Sequence, residues 1–74
     1  MMDEDKQKIC DLLLPALQAT RGGSDVTALE YISSEISFLE YVDVRFQNGF
    51  VRRIDVSGDS GCGMIRDIMK KIGC

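Results

Sequence analysis

Val42-Asp43-Val44-Arg45-Phe46-Gln47-Asn48-Gly49-Phe50-Val51-Arg52-Arg53-Ile54-Asp55-Val56 decides the fold. Val42, Val44 and Phe46 alternate with Asp43 and Arg45, and Phe50, Ile54 and Val56 follow a turn signal, so residues 38–56 read as a β-hairpin. A two-residue Asn-Gly turn would put the two apolar sets on opposite faces. A three-residue loop, Gln47 to Gly49 with the glycine at positive φ, pairs Phe46 with Phe50 and keeps the apolar residues together. It also sets Asp43 opposite Arg53, whereas the neighbouring register would oppose Arg45 to Arg53 and Asp43 to Asp55. Arg52 is left as a charge on the apolar face, and a charge that snorkels at a sheet edge discourages edge-to-edge pairing.

An isolated hairpin is marginal in water, so the sheet needs a third strand. Residues 24–40 can supply it. Leu29, Ile32, Ile36 and Leu39 would also suit a helix, but Val26, Thr27, Tyr31 and Ile32 favour a strand, with Ser33-Ser34-Glu35 as the turn. Upstream, Asp3 to Ala19 reads as a helix burying Ile9, Leu12, Leu13, Ala16 and Leu17, with acidic residues at its start and Gly22-Gly23 as its stop. Pro15 predicts a kink or a restart, because its ring presses on the carbonyl of Asp11. Downstream, Ser60 to Ile72 reads as a second helix, capped by Asp59 or Ser60. Its predicted buried face is Ile65, Ile68, Met69 and Ile72, with core packing for at least one of Met64 and Met69. The expected fold is α+β, ordered αβββα, with a three-stranded antiparallel sheet and both helices on one face.

The chain has 74 residues, room for one domain spanning 1–74. A domain of this size buries only about 60% of its unfolded surface, so association with a copy or a partner is the prior expectation. Three cysteines, Cys10, Cys62 and Cys74, have neither disulfide-scaffold nor zinc-site spacing, and there is no histidine. Free thiols point to a reducing compartment. With an acidic N-terminus and no apolar run long enough to cross a bilayer, the expected address is the cytoplasm, with no membrane, metal or cofactor.

Three basic against nine acidic residues leave −6 in 1–44, and six against three leave +3 in 45–74. Arg45, Arg53, Arg66 and Lys70 are therefore the candidate basic surface, which would serve nucleic acid only if it were one continuous stripe. Gly58-Asp59-Ser60-Gly61 matches the string around the serine of trypsin-like proteases, but that chemistry needs a histidine base. The chain is not read as an enzyme. Ser60, Gly61, Cys62 and Gly63 form a glycine-rich entry to the second helix, a candidate anion or ligand site, with a helix cap as the simpler reading. Cys62 in that first turn is either a thiol favoured toward thiolate by the helix dipole or a small side chain packed beneath the turn, and Cys10 is protected if it faces the core.

The order helix, three antiparallel strands, helix is similar to that of the double-stranded RNA-binding domain. That resemblance implies a weak nucleic-acid-binding module as the alternative function. The family reads RNA with its first helix, a histidine-bearing loop and a lysine-rich start to its second helix. Here the first helix opens acidic and the second begins Ser60-Gly61-Cys62-Gly63-Met64-Ile65. The run Val42-x-Val44-x-Phe46-x-Asn48-Gly49-Phe50, with Asp59-Ser60-Gly61 before Met64-Ile65-x-Asp67, also looks like small uncharacterised proteins of Gram-positive bacterial genomes, a likeness that implies no activity. The first expectation is a non-catalytic protein-binding or self-associating module, with nucleic acid an unlikely partner.

Overall fold

The computed structural model describes residues 6–34 and 36–73. Helix α1 (Lys6–Gln18) is followed by strands β1 (Val26–Ser33), β2 (Glu40–Phe46) and β3 (Val51–Asp55) and helix α2 (Gly61–Ile68), which continues as a π-helical turn, Met69–Gly73. The strands form one antiparallel sheet in the order β1-β2-β3. This is the α+β, αβββα architecture. Among the described residues, no helix is long and apolar enough to cross a membrane.

The hairpin has the three-residue loop that the charge pattern demands. Phe46 N–H donates to the Phe50 carbonyl at 2.9 Å, Gly49 N–H donates to the Phe46 carbonyl at 3.0 Å, and Gly49 has φ +89°. A side chain at Gly49 would be strained in that left-handed conformation. Val42 faces Ile54, Val44 faces Arg52 and Asp43 faces Arg53. Arg52 therefore does lie on the core face, exposed at the sheet edge.

Residues 26–33 form the third strand rather than a helix. Its register shifts between Val26 and Ala28, a bulge at Thr27 that turns both Val26 and Leu29 toward the core. A regular strand would bury every second residue, and the extra residue makes the spacing three, which imitates helical periodicity in the sequence.

The core fills one face of the sheet. Leu29, Val42, Val44 and Ile54 meet Cys10 and Leu17 from α1 and Met64, Ile68 and Ile72 from the C-terminal helix. Of the expected stripe on α1, Leu17 is buried and Ile9 and Leu13 pack against the core, but Leu12 and Ala16 are turned away from it. Cys10 and Leu17 are fully buried, with Leu13 and Leu14 packed beside them, while Leu12 is 71% exposed and Ala16 is exposed. Apolar residues occupy more than half of the helix circumference, and packing selects a stripe centred near Cys10 and Leu17, which leaves Leu12 almost on the opposite side of the helix. The helix also continues through Pro15 instead of restarting, and Asp3, Glu4 and Asp5 lie outside the described residues. On α2, Met64 replaces Ile65 in the core, and Ile65 and Met69 are half-buried.

Candidate functional site

Rotation of α1 leaves Ile9, Leu12, Leu13 and Ala16 turned toward Ile65 of α2. These five side chains line a groove of about 330 Å³ between the helices, and its walls contain no titratable group. Gly61 of α2 lies against the same helix, with its Cβ position 2.8 Å from Ile9 Cδ1. A groove of this kind holds apolar side chains and has no acid, base or nucleophile with which to act on them. The sequence reading placed Leu12 and Ala16 in the core and so missed the groove. The signal was the surplus of apolar residues from Ile9 to Leu17, more than one buried stripe can absorb.

A second apolar feature is the loop between β1 and β2. Ile36 is 92% and Phe38 83% exposed, and Phe38 has a left-handed backbone, φ 58°. That conformation is uncommon for an aromatic residue. Two hydrogen bonds hold the loop, Phe38 N–H to the Ser34 carbonyl at 3.0 Å and Ser34 N–H to the Leu39 carbonyl at 2.9 Å.

The glycine-rich entry to α2 is a built cap. Ser60 is the N-cap, and its Oγ accepts the Gly63 N–H at 3.1 Å. Asp59 stands beside this turn, in contact range of a Cβ at Gly63. The Asp67 carboxyl near it, together with burial, pushes the Asp59 carboxyl above its ordinary value, and Asp59 Oδ2 is buried without a hydrogen-bond partner among the described residues. Carboxylates so placed oppose an incoming anion. Cys62 is exposed on α2, so it does not fill space beneath the turn. Cys10 is fully buried, and desolvation, with Asp11 adding to it, raises its thiol to about 11. Packing and an unfavourable thiolate both protect it.

The four candidate basic residues do not form one stripe. Arg45 and Arg53 project from the sheet face away from the helices, while Arg66 and Lys70 belong to the helical layer. On the open face Arg45 holds Glu30 at 2.8 Å. Arg53 grips both oxygens of Asp43, at 2.8 and 3.1 Å, and stacks 5.0 Å above the Tyr41 ring. Its charge partner is only 7% exposed. Hydrogen bonding from Arg53, outweighing partial burial, holds the Asp43 carboxyl below its ordinary value.

At the end of the sheet nearer α2, Glu40 gathers three segments. Its Oε2 accepts from Lys6 Nζ at 3.0 Å and from the Tyr31 hydroxyl, and its Oε1 accepts the Gly58 N–H at 3.0 Å. Lys6 also donates to the Asp59 carbonyl at 2.7 Å. Burial pushes the Glu40 carboxyl up, but the donors from Tyr31, Lys6 and Gly58 together outweigh it and hold it below its ordinary value. Every oxygen of that carboxylate has a partner within the chain, which fits a structural staple better than a reactive group.

No group of three or more His, Cys, Asp or Glu among the described residues is arranged to hold a metal ion. The fold and this surface define the class, a small α+β domain with an apolar interhelical groove. Comparison with protein-family models, with curated proteins and with solved structures found no match.

Proposed function

We propose that the chain is a small non-catalytic protein-binding or self-associating module that docks through the groove between α1 and α2. The observation that carries this reading is the exposure of Leu12 on the rim of a five-residue, wholly apolar groove. An apolar rim residue of this size costs solubility when left in water and rewards any surface that covers it. The apolar loop at Ile36 and Phe38 adds a second anchor of the same chemistry. Nucleic-acid binding is less well supported, because Arg45 and Arg53 already carry ion pairs and lie across the sheet from Arg66 and Lys70.

The test compares the wild-type chain with Leu12→Glu, which charges the rim of the groove at an exposed position and leaves the core untouched. Cross-linking in the source cell should show a complex with the wild type that the variant loses, with Tm shifted little. A wild type that forms no cross-linked complex, or a variant that forms it equally well, overturns the proposal.

A further inference from the structure

The rest of the chain treats the two edges of the sheet differently. Along β1, α1 supplies side-chain amides to the outward-facing backbone. Gln7 Nε2 donates to the Leu29 carbonyl at 3.1 Å, Gln7 Oε1 accepts the Tyr31 N–H at 2.8 Å, and Gln18 Nε2 donates to the Val26 carbonyl at 2.8 Å. Gln7 thus stands in for the next strand. Along β3 nothing does. The bonds from Phe46 N–H to Phe50 and from Val56 N–H to Glu40 fix which β3 residues face β2, namely the even-numbered ones. The N–H and C=O groups of Val51, Arg53 and Asp55 therefore point outward, and among the described residues none of these groups has a partner.

We propose that this edge pairs with β3 of a second copy, antiparallel across a twofold axis beside Ile54, to make a continuous six-stranded sheet. This contact is separate from the groove: it gives self-association to the β3 edge and leaves the groove for a partner protein, and so goes beyond the functional reading. Charge and strand overlap together fix the register, since an axis at Val51 would pair no other β3 residue with the partner's β3. Only the odd-numbered residues offer outward backbone groups, so the axis must relate odd positions to odd ones. An axis at Arg52, Arg53 or Asp55 sets that residue against its own like charge, which is unfavourable. An axis at Ile54 sets Arg53 opposite the partner's Asp55 twice, and Arg52 opposite the partner's Val56. Arg53 N–H then donates to the carbonyl of the partner's Asp55, and Asp55 N–H donates to the carbonyl of the partner's Arg53. The Arg53 side chain is still 54% exposed on the Asp43 ion pair, which leaves it donors for the incoming carboxylate.

Assembly of this kind closes at two. The dimer's outer edges would both be β1, and both are already held by Gln7 and Gln18. Two five-residue strands bury well under the roughly 1,600 Å² of a standard interface, so the dissociation constant belongs in the micromolar to millimolar range.

Sedimentation equilibrium from about 10 μM to about 1 mM, with residue-resolved amide exchange at both ends of the range, tests this. A reversible dimer is expected, with exchange of the Arg53 and Asp55 N–H groups slowing about tenfold as it forms. Tyr31 N–H, held by Gln7, should be protected throughout. Asp55→Arg should weaken the dimer about tenfold. Asp55→Asn keeps the Oδ1 that accepts the Ser57 N–H and should weaken it less, which separates the charge pairing from local unfolding. A monomer up to about 1 mM, or a dimer whose Arg53 and Asp55 amides stay unprotected, overturns the inference. If Leu12→Glu dissociates the dimer and Asp55→Arg does not, the edge is excluded and the groove stands as the interface.

Discussion

Asp43 shows how much one side chain on an otherwise wet sheet face depends on its neighbours. Glu30 lies directly opposite it on β1, a like charge, and Arg53 opposite on β3 supplies the compensating pair of hydrogen bonds. Truncation to Ala should cost about 1–3 kcal/mol in urea unfolding, because it removes a nearly buried acceptor and both of its hydrogen bonds from Arg53. Asp43 and Glu40 both sit below their ordinary values of 3.8 and 4.5, so the folded state binds fewer protons than the unfolded chain. Their contribution is complete above those values and is lost as pH falls through the lower, folded ones. Asp59, raised above 3.8 by Asp67 and burial, works in the other direction and weakens the fold as pH rises past its folded value. Stability should therefore fall in acid below about pH 4, and Asp59→Asn should raise stability at neutral pH with a gain that vanishes in acid. Urea midpoints from pH 2 to 8 for the three proteins check both signs. The Asp43–Arg53 opposition was legible in the sequence because register is a counting argument. Leu12 was not legible, since periodicity places seven apolar residues on α1 without saying which of them the sheet will cover.

Among the elements, the hairpin was read correctly because its period, turn residues and charges agree. Strand β1 was ambiguous for a physical reason, the Thr27 bulge that spaces Val26 and Leu29 three apart. The long apolar surface of α1 hid both its true stripe and the groove. On α2 the glycine-rich start was legible as a cap, and the choice of Met64 over Ile65 for the core was not, because the two are adjacent apolar residues and either could lie on the buried stripe. The turn after α1 carries a sharper constraint than its flexible-looking Arg21-Gly22-Gly23-Ser24 sequence conveys. A Cβ at Gly23 would stand 2.3 Å from the Leu17 carbonyl oxygen and 2.8 Å from Leu17 Cγ. Backbone on one side and a fully buried leucine on the other leave nothing to yield. Gly23→Ala should destabilise the protein by about 1–3 kcal/mol, while Gly22→Ala, at the exposed neighbour in the same turn, should change little. Thermal unfolding of the pair distinguishes close packing at Gly23 from a general need for a pliable turn.

Across the whole molecule, the sheet is dressed asymmetrically, with helices on one face, an ion-paired lattice on the other, one edge capped by amides and one bare. The staple around Glu40 ties distant stretches of the sequence together. Lys6 reaches Glu40 across 34 positions and the Asp59 carbonyl across 53, whereas Tyr31 and Gly58 approach Glu40 from nearer by. Such contacts close long loops and so form after the hairpin has organised its neighbours. Lys6→Met, which keeps an unbranched side chain and discards the ammonium that lies over the Tyr31 ring, should leave the refolding rate within about twofold and speed unfolding several-fold, the signature of a contact absent from the transition state. Stopped-flow chevrons would show equal folding limbs and a raised unfolding limb, and a slowed folding limb would refute the late closure. The cluster that looks most like an active centre would then be a latch, setting how long a molecule stays folded rather than how quickly it gets there.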